Sequence, residues 1–228
     1  MRSVLILVYV VASQDAKRPD IPTEQYESRE IEGWTVRVNK SLLVEQTELG
    51  KKALRLLEIK LFEVTRVVPA KACEELKKVP LWLGVDDYIE KRACYHPSAS
   101  WLRDHGLNPD KAKAVEIGCA SEFVKESIHQ PMMVLHELAH SYHDRVLGFD
   151  FPDILAAYKK AKESGIYESV LRINGKKERA YAITHPHEYF AEACEAYFGT
   201  NDFYPFVRAE LKEHDPELYE ILKKVWSR

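Results

Sequence analysis

The pentapeptide His-Glu-Leu-Ala-His at residues 136–140 constrains this chain more than any other feature, because its chemistry depends on a helix. Residues four apart on an α-helix lie one above the other, so the imidazoles of His136 and His140 would project from one face. Two imidazole nitrogens at that spacing can bind one tetrahedral Zn²⁺ at about 2.0–2.1 Å each. Glu137 lies about 100° around the helix, where it can reach a metal-bound water without binding the metal. The pentapeptide therefore predicts a helix with two ligands of a zinc hydrolase site.

The flanking residues favour this interpretation over a chance match. The segment consists of good helix formers, and Pro131 suits the first turn of a helix. Apolar side chains give the segment a buried side: Met133, Val134, Leu135, Leu138 and Ala139. A core or surface helix that carries the spacing by chance is the alternative.

The third protein ligand must come from elsewhere, since catalytic zinc usually has three protein ligands and an open position for water. His143 is too far from His136, because seven residues of helix rise about 10.5 Å. Residues 186–198 predict a second helix, with Pro186 in its first turn. Three carboxylates follow along one stripe of it: Glu188, Glu192 and Glu195. Their neighbours are mostly apolar, so a metal or a ligating imidazole is the partner that such buried acids need.

Together, the two segments resemble a known family. The first is His-Glu-Leu-Ala-His with Asp144 four residues later, and the second is Tyr-x-x-Thr-x-x-x-Glu-Tyr-Phe-Ala-Glu from Tyr181. Over about residues 131–206 they are similar to the gluzincin metallopeptidases of the anthrax lethal factor catalytic domain type. The resemblance implies that Glu188 is the third zinc ligand and that Tyr181 lies across the site from Glu137.

One departure from the family leaves alternatives open. The family has Asn after the Thr of the second motif, whereas this chain has His185 after Thr184. His185 and His187 therefore compete with Glu188 for the third ligand position.

The resemblance implies an α+β zincin-like domain, with a small mixed sheet, a long site helix and a helical C-terminal half. The expected reaction is peptide-bond hydrolysis with one Zn²⁺ per chain, and Glu137 as the general base. Asp144 and Glu192 would orient the ligating imidazoles. Four further side chains are expected to border the substrate cleft: Tyr95, His96, His143 and His185. A zinc hydrolase of a non-peptide amide or ester and a catalytically silent, peptide-binding relative are the rival functions.

An extended peptide or protein is the expected substrate. Residues 112–119 predict a strand just before the metal helix, and zincin-like domains have an edge strand there. The substrate would pair with that edge. The formal charge of −3 indicates neither nucleic acid nor an acidic membrane surface as a partner. The sequence does not determine the oligomeric state.

The remaining pattern predicts one domain at residues 31–228, preceded by a signal peptide at 1–16 and a polar tether at 17–30. The chain would then be secreted or periplasmic, with a buried first strand in a cytoplasmic protein as the alternative. Predicted elements are strands at 34–39 and 79–85, helices at 46–66, 70–78 and 153–162, a hairpin at 170–183 that turns at Asn174–Gly175, and a C-terminal helix from Pro216.

The four cysteines contain no C-x-x-C pair, which argues against a thiolate zinc site. An even number behind a signal peptide favours disulfides, and Cys73 with Cys94 is the first choice. Free buried thiols in a cytosolic enzyme are the alternative.

Overall fold

The structure is a computed structural model that describes residues 21–86 and 93–227. The strands of these residues are β1 (Tyr26–Ile31), β2 (Trp34–Asn39), β3 (Leu81–Leu83), β4 (Ala93–Tyr95), β5 (Val115–Ile117), β6 (Val170–Leu171) and β7 (Lys177–Glu178). The α-helices are α1 (Lys40–Val44), α2 (Thr47–Val67), α3 (Ala70–Lys77), α4 (Ala99–Asp104), α5 (Ala120–Glu126), α6 (Met133–Tyr142), α7 (Pro152–Ser164), α8 (Pro186–Phe198), α9 (Arg208–His214) and α10 (Pro216–Trp226). The predicted signal peptide lies outside the described residues.

A five-stranded sheet forms the N-terminal half, in the order β1-β2-β3-β5-β4. The central pairs β2/β3 and β3/β5 are parallel, whereas β1/β2 and β4/β5 are antiparallel. The sheet is therefore mixed, and together with the helical C-terminal half it confirms the predicted α+β class. Alternate residues of β2 point into the core, where Trp34, Val36 and Val38 are fully buried.

The prediction of a polar tether over residues 17–30 is wrong for residues 26–30, because Tyr26–Ile31 forms β1 and pairs with β2 along its whole length. A two-residue turn joins the strands, and both of its residues, Glu32 and Gly33, have positive φ. Such a turn matches the twist of an antiparallel pair. Polar residues suit β1 because it lies at the sheet edge, with most of its side chains in solvent.

The predicted edge strand is also in the wrong place. β5 pairs with β3 on one side and with β4 on the other, so it is an interior strand. β4 is the edge strand on the side of α6. The sequence order of the strands therefore differs from their order in the sheet.

Helices α2, α3, α5 and α6 contribute to the main core that covers one face of the sheet. The other face carries a buried ion pair, in which the Lys111 ammonium lies 2.6 Å from one oxygen of Glu116. The second oxygen of Glu116 lies 2.7 Å from Nε2 of His96. His96 is only 2% exposed, so the prediction that it borders the substrate cleft is wrong. Its partner is a carboxylate beneath the sheet.

The C-terminal half packs α7, α8, α9 and α10 together. Asp215 caps α10 by accepting a hydrogen bond from the Leu218 amide (3.1 Å) and also accepts one from the Tyr189 hydroxyl. The predicted hairpin is present but short: β6 and β7 pair over two residues each, and residues 181–184 form a 3-10 turn.

All four cysteines are free thiols, so the predicted Cys73–Cys94 disulfide is wrong. Cys73 lies on α3 in the main core, whereas Cys94 lies on the edge strand β4 and lines a cavity. Within residues 21–86 and 93–227, no helix is long and apolar enough to cross a membrane.

Candidate metal centre

Helix α6 presents two imidazoles to the same point, as the spacing of the pentapeptide predicts. Nε2 of His136 and Nε2 of His140 lie 3.0 Å apart, with the two rings nearly perpendicular. The helix is buried on nearly all sides, which limits the rotamers of both rings. It is shorter than predicted, because a π-helical turn over His143–Leu147 replaces its last turn.

Helix α8 supplies a carboxylate to the same point. Pro186 is in its first turn, and Nδ1 of His185 accepts a hydrogen bond from the His187 amide (3.4 Å) as the N-cap. Two residues after Pro186, Glu188 has one oxygen 3.1 Å from Nε2 of His136 and 3.3 Å from Nε2 of His140. The packing of α8 on α6 therefore brings three donor atoms together.

The three donor atoms fit one zinc ion. Ligand atoms around a tetrahedral zinc with bonds of about 2.0–2.1 Å lie about 3.3 Å apart. The separations here are 3.0, 3.1 and 3.3 Å. Among the described residues, neither of the two His/Cys/Asp/Glu groups suited to a metal contains His185 or His187. The geometry thus favours Glu188 over its two competitors.

The chemistry of the donors also calls for a cation. Nδ1 of His136 lies 2.7 Å from a Glu195 oxygen and Nε2 lies 3.1 Å from a Glu188 oxygen, so the ring is held between two carboxylates. Burial alone would lower the pKa of His136, but its hydrogen bonds to Glu188 and Glu195 raise that pKa well above the usual value. Burial would raise the pKa of Glu188, but the two imidazoles outweigh this effect and hold that pKa well below its usual range.

Glu195, rather than Glu192 or Asp144, contacts an imidazole of the candidate metal site. The nearest Glu192 oxygen is 4.0 Å from Nδ1 of His136, beyond hydrogen-bond range. Burial and the adjacent Glu195 carboxylate raise the pKa of Glu192. Glu195 lies seven residues after Glu188, so the stripe of acids on the predicted helix contained the signal for its position.

Asp144 occupies a different position from the predicted one. It accepts a hydrogen bond from the Tyr95 hydroxyl (2.7 Å) and forms an ion pair with Lys113. The backbone amide of Tyr95 donates to a Glu137 oxygen (2.8 Å). Asp144 therefore fixes the tyrosine whose amide orients Glu137, and sequence reasoning had no signal for this backbone contact.

A cavity of about 650 Å³ opens onto these groups. Its walls include His136, Glu137, His140, Tyr181 and Glu188. Tyr181 is half exposed at 49%, and burial, followed by the charge of Glu188, raises the pKa of its phenol. The phenol therefore remains a proton donor at neutral pH.

Of the four predicted cleft residues, Tyr95 alone lines this cavity. His143 is fully buried against the rings of Phe149 and Phe190, where burial lowers its pKa to about 3. His185 is exposed at the start of α8 and does not line the cavity. The predictions for His143 and His185 are therefore wrong. His187 lines the cavity instead and stacks on Phe149, with ring centroids 3.9 Å apart.

These observations define an α+β domain in which two packed helices hold a His-His-Glu cluster that fits a metal ion. The family model described as anthrax toxin lethal factor, N- and C-terminal domain, matches residues 19–225, and the chain belongs to this family. The match confirms the resemblance that the two short motifs indicated. The family is related to zinc metalloproteases. No curated protein and no solved structure matches the chain.

Proposed function

We propose that the chain is a zinc-dependent endopeptidase of the gluzincin type, with a zincin-like catalytic domain. The main support is the ring of donor atoms from His136, His140 and Glu188, whose separations match the ligand shell of one zinc ion. The ring lies in the wall of a cavity that Glu137 also lines. Membership of the lethal factor family supports the proposal independently.

Each side chain has a role that follows from its contacts. Bound at the ring, zinc would acidify a water molecule and polarise a substrate carbonyl. Glu137, oriented by the Tyr95 amide, would accept a proton from water and deliver it to the leaving amine. Tyr181 would donate a hydrogen bond to the oxygen that becomes negative during attack. Glu195 would hold the proton on Nδ1 of His136, which keeps Nε2 available to the metal.

The substrate would be an extended peptide that lies along β4. The residues of this edge strand, Ala93, Cys94 and Tyr95, line the cavity beside Glu137. An edge strand offers backbone groups to an added strand, which gives affinity with little dependence on sequence.

Metal analysis and peptide cleavage on the same preparations test this proposal. The wild-type protein should bind one zinc per chain and cleave members of a mixed peptide library. Glu137→Gln should keep the zinc and lose turnover, because residue 137 moves protons without binding the metal. Glu188→Ala should lose zinc, because three protein ligands are needed for a catalytic site.

His185→Ala and His187→Ala are the matched controls on the same helix, and both should retain zinc. Equal zinc content in Glu188→Ala and wild type would mean that another residue is the third ligand. Zinc binding without cleavage of any peptide would indicate a silent, peptide-binding relative. Cleavage restricted to non-peptide amides or esters would indicate a different hydrolase.

A further inference from the structure

Tyr95 contacts α6 and the turn that follows it with two different groups. Its backbone amide donates to a Glu137 oxygen on α6 (2.8 Å), and its hydroxyl donates to Oδ2 of Asp144 in the π-helical turn (2.7 Å). The tyrosine is buried. Burial, followed by the hydrogen bond to Asp144, raises the pKa of the phenol, so the hydroxyl remains a donor at neutral pH. The hydroxyl therefore fixes the residue whose amide contacts Glu137.

Strand β4, which carries Tyr95, has little other support within its sheet. It has three residues and, among the described strands, pairs with β5 alone. Backbone groups of alternate residues in an antiparallel pair point to opposite sides, and the Tyr95 amide points away from β5, toward Glu137. A shift of β4 would therefore move this amide relative to the Glu137 carboxylate.

Lys113 holds the same region from outside the cavity. Its ammonium forms an ion pair with Oδ2 of Asp144, the atom that also accepts from the Tyr95 hydroxyl. Its backbone amide donates to the carbonyl of His96, directly after β4 (2.6 Å). Its φ is +58°, a left-handed conformation that is uncommon for a residue with a side chain and persists where the surrounding contacts hold it. Lys113 thus connects the end of β4 with the turn after α6, although its side chain is half exposed and does not line the cavity.

We propose that Lys113 and Asp144 are positioning residues for the reaction, which act on Glu137 through the hydroxyl and the amide of Tyr95. This inference rests on the proposed peptidase function, because the orientation of Glu137 affects turnover only if this residue transfers the proton. A small displacement of a reacting group can lower a rate on the order of 10²-fold. None of these contacts involves a donor atom of the candidate metal site, so the variants should keep their zinc.

Steady-state kinetics on zinc-loaded variants test the proposal. Tyr95→Phe and Lys113→Met should each lower kcat on the order of tenfold, while KM stays within about twofold of wild type. Lys113→Arg should keep most of the wild-type kcat, because its guanidinium can still pair with Asp144. The double variant Tyr95→Phe/Lys113→Met should lose little more than either single variant, since both changes act through the same oxygen of Asp144.

Lys125→Met is the matched control and should keep the wild-type kcat. Lys125 is an exposed lysine of α5 that pairs with Glu122 and Glu126, outside the cavity lining. A wild-type kcat in Tyr95→Phe would overturn the proposal. An equal loss of kcat in Lys113→Met and Lys113→Arg would also overturn it, because the charge at position 113 would then have no effect on the reaction.

Amide hydrogen exchange separates this inference from the proposed function, because it does not require turnover. The Tyr95 amide should exchange faster in Lys113→Met than in wild type, on the order of tenfold, and Glu137→Ala gives the rate of the amide without its acceptor. The amides of β2, which does not contact β4 in the sheet, should exchange at wild-type rates. Faster exchange of the Tyr95 amide in a protein that cleaves no peptide would support the positioning contacts and reject the peptidase. Unchanged exchange of this amide in Lys113→Met would overturn the proposal.

Discussion

Tyr181 is the residue whose role differs most between a catalytic and a structural interpretation. It follows the β6–β7 hairpin, lies half exposed in the cavity wall and has a pKa raised by burial and the charge of Glu188. A phenol that donates to a developing oxyanion binds the transition state more strongly than the substrate. A phenol that only closes a turn contributes packing and no catalysis.

Tyr181→Phe should therefore keep one zinc per chain and a nearly unchanged KM, while kcat falls on the order of 10²–10³-fold. Steady-state kinetics and metal analysis on one preparation measure KM, kcat and the zinc content. Tyr219→Phe, a half-buried tyrosine of α10 outside the cavity lining, is the control and should keep full turnover. Full turnover with full zinc in Tyr181→Phe would reject the catalytic role, and lost zinc would give the residue a structural one.

Two residues of the candidate metal site could be placed from the sequence because their geometry is local. The four-residue spacing of His136 and His140 determines their relative positions within one helix. Glu188 required the family resemblance, because its approach depends on how α8 packs against α6. The partner of His136 and the burial of His96 and His143 depend on tertiary contacts in the same way. A sequence pattern shows that an acid needs a partner, but it does not show which one.

At the scale of elements, β2 and the helices α2, α3, α6, α7, α8 and α10 could be predicted, whereas the short helices and the order of the strands could not. β3, β4 and β5 have three residues each, too few for a periodic pattern. Whether β5 is an edge or an interior strand depends on pairing with residues far away in the chain. β1 was missed because polar side chains on both of its faces resemble a linker.

The interior position of β5 explains why Glu116 is fully buried and gives a prediction about acid stability. Burial raises the pKa of Glu116, but His96 and Lys111 outweigh burial and lower it overall. A carboxylate with a lowered pKa in the folded state stabilises the protein above its unfolded pKa of about 4.3, and the contribution is lost as the pH falls through the folded value. The Lys111 ammonium has no exposure to water that could compensate.

Glu116→Gln should therefore lower the free energy of unfolding by about 3–5 kcal/mol at pH 7, because it removes the carboxylate that balances the buried Lys111 charge. The difference from wild type should begin to shrink as the pH falls below about 4.3, where the unfolded chain binds the proton, and it should vanish as the pH falls through the lower pKa of folded Glu116. Urea unfolding of both proteins at a series of pH values measures this difference in the free energy of unfolding. Glu48→Gln, which breaks the exposed pair with Lys51, should leave the midpoint unchanged. A pH-independent difference would mean that shape, and not charge, matters at position 116.

At the scale of the whole molecule, a metal ion at the candidate site would join parts of the chain that are far apart in sequence. His136 on α6 and Glu188 on α8 are 52 residues apart. An ion that binds the folded state and not the unfolded chain stabilises the protein by about 2.7 kcal/mol at 100 times its dissociation constant. For a chain of this size, that gain corresponds to a rise in Tm of about 5–10 °C.

Removal of zinc by a chelator should lower Tm by that amount, and added zinc should restore it. Scanning calorimetry at fixed protein concentration measures both steps. Glu188→Ala should show no such response, because it lacks one of the three donors. An identical Tm of the wild-type protein with zinc and with chelator would mean that zinc does not stabilise the fold.

Among the residues that the structure describes, the two outer strands of the sheet affect whether copies of the chain can associate edge to edge. An open sheet edge is a template on which a second molecule can add its own strand, and continued addition leads to aggregates. β1 carries charged and polar side chains on both faces, including Glu27, Arg29 and Glu30. On the opposite edge, the outward amide of Tyr95 is already bonded to Glu137. The charged β1 border therefore disfavours growth into fibrils, although the sheet does not close into a barrel. At the β4 border the Tyr95 amide is not available to an added strand, so the proposed substrate would pair with the other outward backbone groups of β4.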